Sequence, residues 1–204
     1  MATILLNGGH EFFIREAFEW NLEKIKRKQQ FENGFLTTTT FKNTLRLGFN
    51  LIFYKKEKLS NWSPTQFIKK NVELLQPDLQ KTYSDFAEAY LDFLKENYEE
   101  ALPKMKAFRP NASVHQLDAM RIVLACYFKL CDDDAFERQI VKISSFLTKK
   151  NGFSSNIVVF NQNFIQFLEE IKNLNNDKKV KNELFEKLKN EKNVADKEWL
   201  LSLF

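Results

Sequence analysis

Apolar residues recur at helical spacing along most of the 204-residue chain. Near its start, Ile14, Phe18, Leu22 and Ile25 follow one another at steps of four, four and three residues, which is the repeat of one helix face. The same pattern along the chain predicts about ten helices joined by short connections. Their approximate bounds are residues 10–30, 38–56, 63–76, 78–95, 98–108, 113–131, 134–149, 154–173, 178–192 and 196–204.

Several of these helices carry start and stop signals. Residues 63–66, Ser-Pro-Thr-Gln, combine a capping serine, a proline in the first helical position and the glutamine of a capping box. The capping-box spacing recurs at Ser113 with Gln116 and at Asp134 with Glu137. Gly34 interrupts the pattern after the first helix. A strand over residues 36–41 is the alternative to an early helix start there, because threonine favours strands.

The width of the apolar faces indicates how the helices pack. The segment 78–95 has two adjacent apolar stripes, and a helix of that kind must be covered on two sides. The stripes consist of Leu79, Tyr83, Phe86, Tyr90 and Phe93, and of Ala87, Leu91 and Leu94. Segments after residue 153 have one apolar side only. This predicts an all-α fold in which residues 1–204 form a single repeat domain: N-terminal helices over 1–76, two helix pairs over 77–152 and capping helices over 153–204.

The stretch "AYLDFLKENYEEAL" resembles the junction of a tetratricopeptide repeat, in which a small residue, a tyrosine and an alanine occupy the positions of Ala89, Tyr98 and Ala101. The segment "VLACYFKLCDDDAFERQI" has the same hairpin length, with Asp133 and Phe136 in the tyrosine and alanine positions. From "TFKNTLRLGFNLIFYKK" to "KEWLLSLF" the chain also resembles the C-terminal part of longer bacterial helical-repeat proteins. These resemblances imply a right-handed stack of antiparallel helix pairs, an α-solenoid.

The resemblance also implies a function, namely protein–protein interaction or scaffolding. In that family the first helix of each pair lines a concave groove that holds a peptide or a partner subunit. Carried to this chain, the groove residues are Tyr83, Phe86, Tyr90, Phe93, Asp118, Arg121 and Phe128. The alternative is that the preceding helices cover the aromatic rings, which would then belong to the core.

Charge suggests a second interpretation. The chain has 31 basic and 27 acidic residues, a net charge of +4 and an isoelectric point near 8.9. The segment "KIKRK" from Lys24 to Lys28 could contact phosphates, so a nucleic-acid-associated helical protein is the alternative function. A solvated helix end explains the same residues, since basic side chains favour the C-terminal end of a helix.

The sequence offers little chemistry. His115 and Asp118 are spaced for a metal pair without an evident third ligand, and His10 is the only other histidine. Cys126 and Cys131 lack the spacing of a zinc or redox motif. No phosphate loop, nucleophile elbow or paired-carboxylate cleft is recognisable. We therefore expect no enzyme, cofactor or metal, and a pocket with convergent polar groups is the observation that would change this.

Location follows from the same features. The two cysteines suit a reducing compartment, and no apolar run approaches the length of a membrane span. The opening "TILL" is too short for the core of a secretory signal. We expect a cytoplasmic protein without a membrane partner.

Overall fold

In the computed structural model, the described residues are 11–149, 152–174 and 177–204. Over these ranges the fold is all-α, with ten helices and one minimal hairpin. The helices are α1 (Glu11–Lys26), α2 (Thr38–Phe49), α3 (Pro64–Val72), α4 (Pro77–Leu94), α5 (Tyr98–Ala107), α6 (Ser113–Lys129), α7 (Asp133–Lys149), α8 (Ser155–Lys172), α9 (Lys178–Asn190) and α10 (Lys197–Leu201). The all-α prediction is confirmed. Within these ranges no helix is long and apolar enough to cross a membrane.

The segment between α1 and α2 is a small β-hairpin that the helical pattern did not predict. Strand β1 (Phe31–Glu32) pairs antiparallel with β2 (Phe35–Leu36). Asn33 and Gly34 connect them with positive φ angles of 51° and 84°. Asn-Gly favours this two-residue turn, since glycine, and to a lesser extent asparagine, tolerates a positive φ. The strand considered over residues 36–41 is not formed, because Thr38–Phe49 is helical.

The predicted second helix consists of two parts. Thr37 caps α2, its hydroxyl accepting a hydrogen bond from the amide of Thr40. After α2, a π-helical turn runs over Asn50–Tyr54. Gly48 lies against the indole of Trp62, and a Cβ on Gly48 would meet ring atom Cη2 at 2.3 Å. The glycine thus permits the close approach of α2 to the segment that leads into α3.

The described chain divides into two compact units, and the larger one spans Ile14–Gln139. Within it, α4 packs against α3, α5 and α6, and α2 packs against α3 and α4. Aromatic rings form much of its interior. The ring of Phe86 lies 4.7 Å from that of Phe108, and Phe49 meets Tyr90 edge to face at 5.2 Å. Edge-to-face pairs of this kind are favourable beyond their buried area.

The connections after α4 and α6 have the same backbone form. Each ends its helix with one residue in the left-handed region, Glu96 at φ 66° and Cys131 at φ 56°. In each, the following amide reaches back to a carbonyl five residues earlier: Asn97 to Asp92 at 2.9 Å and Asp132 to Tyr127 at 3.1 Å. This bond satisfies a carbonyl that the end of a helix would otherwise leave without a partner.

Two predicted caps differ from the structure. Helix α6 begins at Ser113 itself, with Ala112 in the cap position and no side-chain cap. Helix α7 begins at Asp133, where the carboxylate of Asp132 accepts a hydrogen bond from the amide of Ala135 at 3.0 Å. Of the three successive aspartates, the first accepts from the free amide of Ala135. The capping-box spacing of Asp134 therefore did not identify the cap. Ser63 and Ser154 do cap their helices, and the cap of Ser63 was predicted.

The second unit comprises the described residues from Ile140 to Phe204 together with residues 11–13. Helices α8, α9 and α10 pack against one another there. The ring of Phe164 lies 6.0 Å from that of Trp199, and the amide of Ala195 donates to the carbonyl of Phe160 at 3.0 Å. An ion pair between Lys187 and Glu170 at 2.8 Å joins α9 to α8. The single-domain organisation stays a prediction.

Candidate functional site

A buried ion pair joins α2 to α6 in the larger unit. Lys42 donates to Oδ2 of Asp118, and Nη2 of Arg121 donates to Oδ1 of the same carboxylate at 2.6 Å. Nη1 of Arg46 lies 3.8 Å from Oδ1. Lys42, Asp118 and Arg121 are each more than nine-tenths buried. Several positive groups therefore converge on one carboxylate away from water.

The electrostatics of this cluster follow from its burial. Burial alone would raise the pKa of Asp118, but attraction to Lys42, Arg121 and Arg46 holds that pKa well below its usual range. Burial lowers the pKa of Lys42, and the negative charge of Asp118 opposes this. Asp118 is therefore ionised at neutral pH, and it stabilises the charged form of Lys42.

A hydrogen-bonded chain lies beside the ion pair. The hydroxyl of Tyr83 lies 2.6 Å from Nδ1 of His115, and Nε2 of His115 lies 3.5 Å from Oγ1 of Thr39. Burial, Lys42 and Arg46 lower the pKa of His115 to about 4, against the opposing effect of Asp118. Burial raises the pKa of Tyr83 despite a hydrogen bond with Thr38. At neutral pH both groups are therefore uncharged.

In the neutral state one ring nitrogen of His115 is a donor and the other is an acceptor. The hydroxyl of Tyr83 therefore bonds to Nδ1 of His115 either as donor or as acceptor, and Nε2 takes the complementary role towards Thr39. A hydroxyl, an imidazole and an orienting group in series resemble a nucleophilic arrangement. However, a base with a pKa near 4 is poorly matched to deprotonating an alcohol at neutral pH. The chain of groups is suited to orienting hydroxyls rather than to transferring protons.

A cleft opens where this chain reaches the surface. Its volume is about 430 Å³, and four consecutive threonines, Thr37 to Thr40, form one side. Gln30 and Glu32 come from the hairpin side, while Gln76 and Leu79 come from the start of α4. We call this cavity the threonine cleft. The sequence predicted a helix start or a short strand at these threonines, and in the structure they line a cavity while Thr37 also caps α2.

The predicted groove residues lie mostly in the interior. Tyr83, Phe86, Tyr90, Phe93, Asp118 and Arg121 are buried, and Phe128 is half-buried against Phe136. Helix α2 covers the rings, since Phe41 packs on Tyr83 and Phe49 packs on Tyr90. The six buried side chains therefore belong to the core and do not line an accessible groove. This agrees with the alternative in which preceding helices cover the aromatic rings. A substitution at Tyr90 would report on stability and not on partner binding.

The other sequence candidates are separate from this cluster. Cys126 is buried, which raises its pKa to about 12, and Cys131 is exposed; both are free thiols. His10 lies outside the described residues. In the part of the chain that the structure describes, no group of three or more histidine, cysteine, aspartate or glutamate side chains could hold a metal. His115, expected at the surface, is buried with Tyr83.

The basic end of α1 carries an exposed aromatic ring. Trp20 is 64% exposed, and the ammonium of Lys24 lies 5.9 Å from the centre of its ring. Lys26, Arg27 and Lys28 follow on the surface, with Arg27 bound to Glu23 at 2.6 Å. We call Trp20 with these four basic residues the Trp20 surface. The sequence identified the basic segment, and the structure adds the exposed ring of Trp20 beside it.

No family model matches this chain, and no curated protein or solved structure matches it either. The tetratricopeptide resemblance therefore depends on the residues quoted for it. The structural description of the cluster, the cleft and the Trp20 surface stands without it.

Proposed function

We propose that the chain is a protein-interaction module of tetratricopeptide-like helix pairs, which docks an acidic peptide segment on the Trp20 surface. The main observation behind this proposal is that Trp20 is 64% exposed, whereas Ile14 and Phe18 on the same helix are buried. Tryptophan is enriched among the residues that dominate binding energy at protein interfaces. An exposed ring with a charged border has the composition of such an anchor.

The repeat interpretation is supported by the two matching helix ends. The left-handed residue Cys131 follows Glu96 by 35 residues, and both are accompanied by the same backward hydrogen bond. This separation is close to the 34-residue period of tetratricopeptide repeats. The proposed architecture is a right-handed stack in which α4 with α5, and α6 with α7, are the two pairs.

The acidic character of the partner is argued from charge. Four basic residues lie at or near the end of α1, and Glu23 is bound to Arg27. A partner carboxylate near Lys24 or Lys28 would be attracted over about 10 Å at ordinary salt. The partner segment thus combines an apolar side chain for Trp20 with acidic residues beside it. The proposed location is the cytosol, in keeping with two free cysteines.

A nucleic-acid-associated role is the second candidate, and the same surface favours it. An exposed indole beside lysines can stack on bases while the ammonium groups contact phosphates. Against it, Glu16, Glu19 and Glu23 lie on the same helix and would repel a strand with a phosphate at every nucleotide more strongly than a peptide with a few carboxylates. The net charge of only +4 is also modest for a nucleic-acid protein.

Site-specific photo-crosslinking tests the proposal. The whole chain carrying Trp20→benzoylphenylalanine is irradiated in nuclease-treated lysate, and crosslinked peptides are sequenced. We expect acidic segments with an apolar residue at the crosslink, formed less as salt increases. The matched control places the same group at Val141, which is 68% exposed on α7. The same peptides at both positions, or peptides without acidic character, would refute the proposal.

Oligonucleotide binding separates the two candidates. Fluorescence anisotropy of labelled single strands and duplexes is measured at low and moderate salt with the wild type and with Trp20→Ala. The protein-interaction proposal predicts no Trp20-dependent binding. Binding that is abolished by Trp20→Ala would favour the nucleic-acid candidate instead.

A further inference from the structure

We propose that the threonine cleft binds a neutral polyhydroxyl molecule of monosaccharide size. This inference is independent of the interaction proposed for the Trp20 surface. The volume of about 430 Å³ lies within the range of small-molecule sites and towards its lower end. A site of that size accepts one sugar ring or cyclitol rather than a large cofactor.

The lining of the cleft matches hydroxyl groups. The cleft is lined by four threonine hydroxyls and the side-chain amides of Gln30 and Gln76. Thr40 is buried and donates to Gln30, so the exposed Thr39 and the half-buried Gln76 offer the groups that a ligand can reach. Phe35 and Leu79 add apolar surface, against which the carbon–hydrogen face of a sugar ring can pack. A polyol offers the same alternation of donors, acceptors and an apolar face.

The charges of the cleft favour a neutral ligand. Glu32 is the one ionised group among the described lining residues, and it is exposed to solvent. No lysine or arginine contributes to this lining, so a phosphate or carboxylate would meet a negative charge without a cation. Lys42, one helical turn beyond Thr38, is bound to Asp118. His115 behind Thr39 is neutral and adds no charge.

The walls are held in position by backbone and side-chain hydrogen bonds. The amide of Thr37 donates to the carbonyl of Gln30 at 3.0 Å, and the amide of Leu36 donates to the carbonyl of Leu74 at 2.8 Å. The hydroxyl of Thr40 donates to the side chain of Gln30 at 3.3 Å. These groups are already ordered in the folded protein. A ligand therefore loses little conformational entropy by binding to them, which favours affinity.

Thr39 is the residue on which recognition depends most. It is exposed at the cleft, and Nε2 of His115 lies 3.5 Å from its Oγ1. Its hydroxyl faces the cleft and can donate to or accept from a ligand oxygen. His115 is in turn oriented by Tyr83 at 2.6 Å. The hydroxyl of Thr39 thus connects the cleft to the interior contact of His115 with Tyr83.

Amide chemical-shift titration of the ¹⁵N-labelled whole chain tests the proposal. Probes are glucose, galactose and myo-inositol, with inorganic phosphate and ethylamine as charged comparisons. We expect saturable shifts with at least one neutral polyol, confined to residues 30–40 and 76–79, and none with phosphate. No saturable shift with any of the three polyols, shifts elsewhere, or binding of phosphate or ethylamine in their place would overturn the proposal.

Two variants assign the binding to the cleft. Thr39→Val removes one exposed hydroxyl, and we expect about tenfold weaker binding, as for the loss of one hydrogen bond. Gln76→Ala should weaken binding on the opposite wall. The matched control is Thr148→Val on α7, whose exposed threonine bonds only within its own helix in the described chain. Equal affinity in Thr39→Val and Thr148→Val would overturn the assigned role of Thr39.

Discussion

Removing the charge of Asp118 should destabilise the larger unit strongly. Asp118→Asn preserves the size of the side chain but leaves Lys42 and Arg121, both more than nine-tenths buried, without the carboxylate that neutralises them. Breaking a buried ion pair in this way typically costs about 3–5 kcal/mol of unfolding free energy. With a urea dependence of about 2 kcal/mol per molar, the unfolding midpoint should fall by about 2 M.

The assay must report on the larger unit alone, because two compact units need not unfold together. Trp62 lies in that unit, so Trp20→Phe and Trp199→Phe together leave one fluorescent reporter. The control is Asp85→Asn, since Asp85 forms an exposed pair with Lys81 at 2.9 Å, and pairs of that kind contribute about 0.3–0.5 kcal/mol. If Asp118→Asn lowers the urea midpoint no more than Asp85→Asn does, the carboxylate is hydrated and the argument is wrong.

A double-mutant cycle isolates the pair itself. Lys42→Met removes the buried cation, and in that background Asp118→Asn should cost less than in the wild type. We expect a coupling free energy of about 2 kcal/mol, within the range of contacting buried residues. A coupling below the error of the measurement would mean that Asp118 is stabilised by its other neighbours and not by Lys42.

Three further predictions use the same fluorescent background. The stability of the larger unit should fall by up to about 3 kcal/mol as pH is lowered from about 6.5 towards 4, because unfolded His115 binds a proton that the folded state does not. His115→Gln should reduce the dependence of the urea midpoint on pH, and an equal dependence in the variant and the wild type would contradict the assignment. Gly48→Ala should cost about 1–3 kcal/mol and shift Trp62 emission, since the new Cβ meets the indole; an unchanged midpoint and spectrum would refute the close contact. Under iodoacetamide, mass spectrometry should detect modification of exposed Cys131 first, while buried Cys126 reacts only on unfolding; simultaneous modification would disagree with the burial.

Local pattern predicted the helices well and the polar interior poorly. Each helix in the pattern is set by neighbouring residues, such as the cap of Ser63 and the proline of residue 64. Lys42 was not predicted as buried, because a lysine in isolation is almost always exposed. A clue was present: Thr38, Lys42 and Arg46 lie at steps of four, which aligns them on one face of α2.

The partner of that face could not be predicted from spacing. Asp118 and His115 are 76 residues from Lys42 and Thr39 respectively, and only the packing of α2 on α6 joins them. The groove residues failed for the same reason, since nothing local indicates that α2 covers Tyr83 and Tyr90. The hairpin, by contrast, was available locally, because Asn-Gly is a strong turn sequence that was taken as a helix end.

The separation of the Lys42–Asp118 pair also has a consequence during synthesis. When α2 leaves the ribosome, Lys42 cannot pair with Asp118 until α6 has been synthesised. Burying the ammonium group of Lys42 before that point would be strongly unfavourable. Helix α2 is therefore expected to dock late, and a shortened chain that ends before Ser113 should fail to bury it. The first and last thirds of the larger unit are therefore expected to reach their final packing together. Until then the apolar surface of the nascent chain is exposed and can associate wrongly.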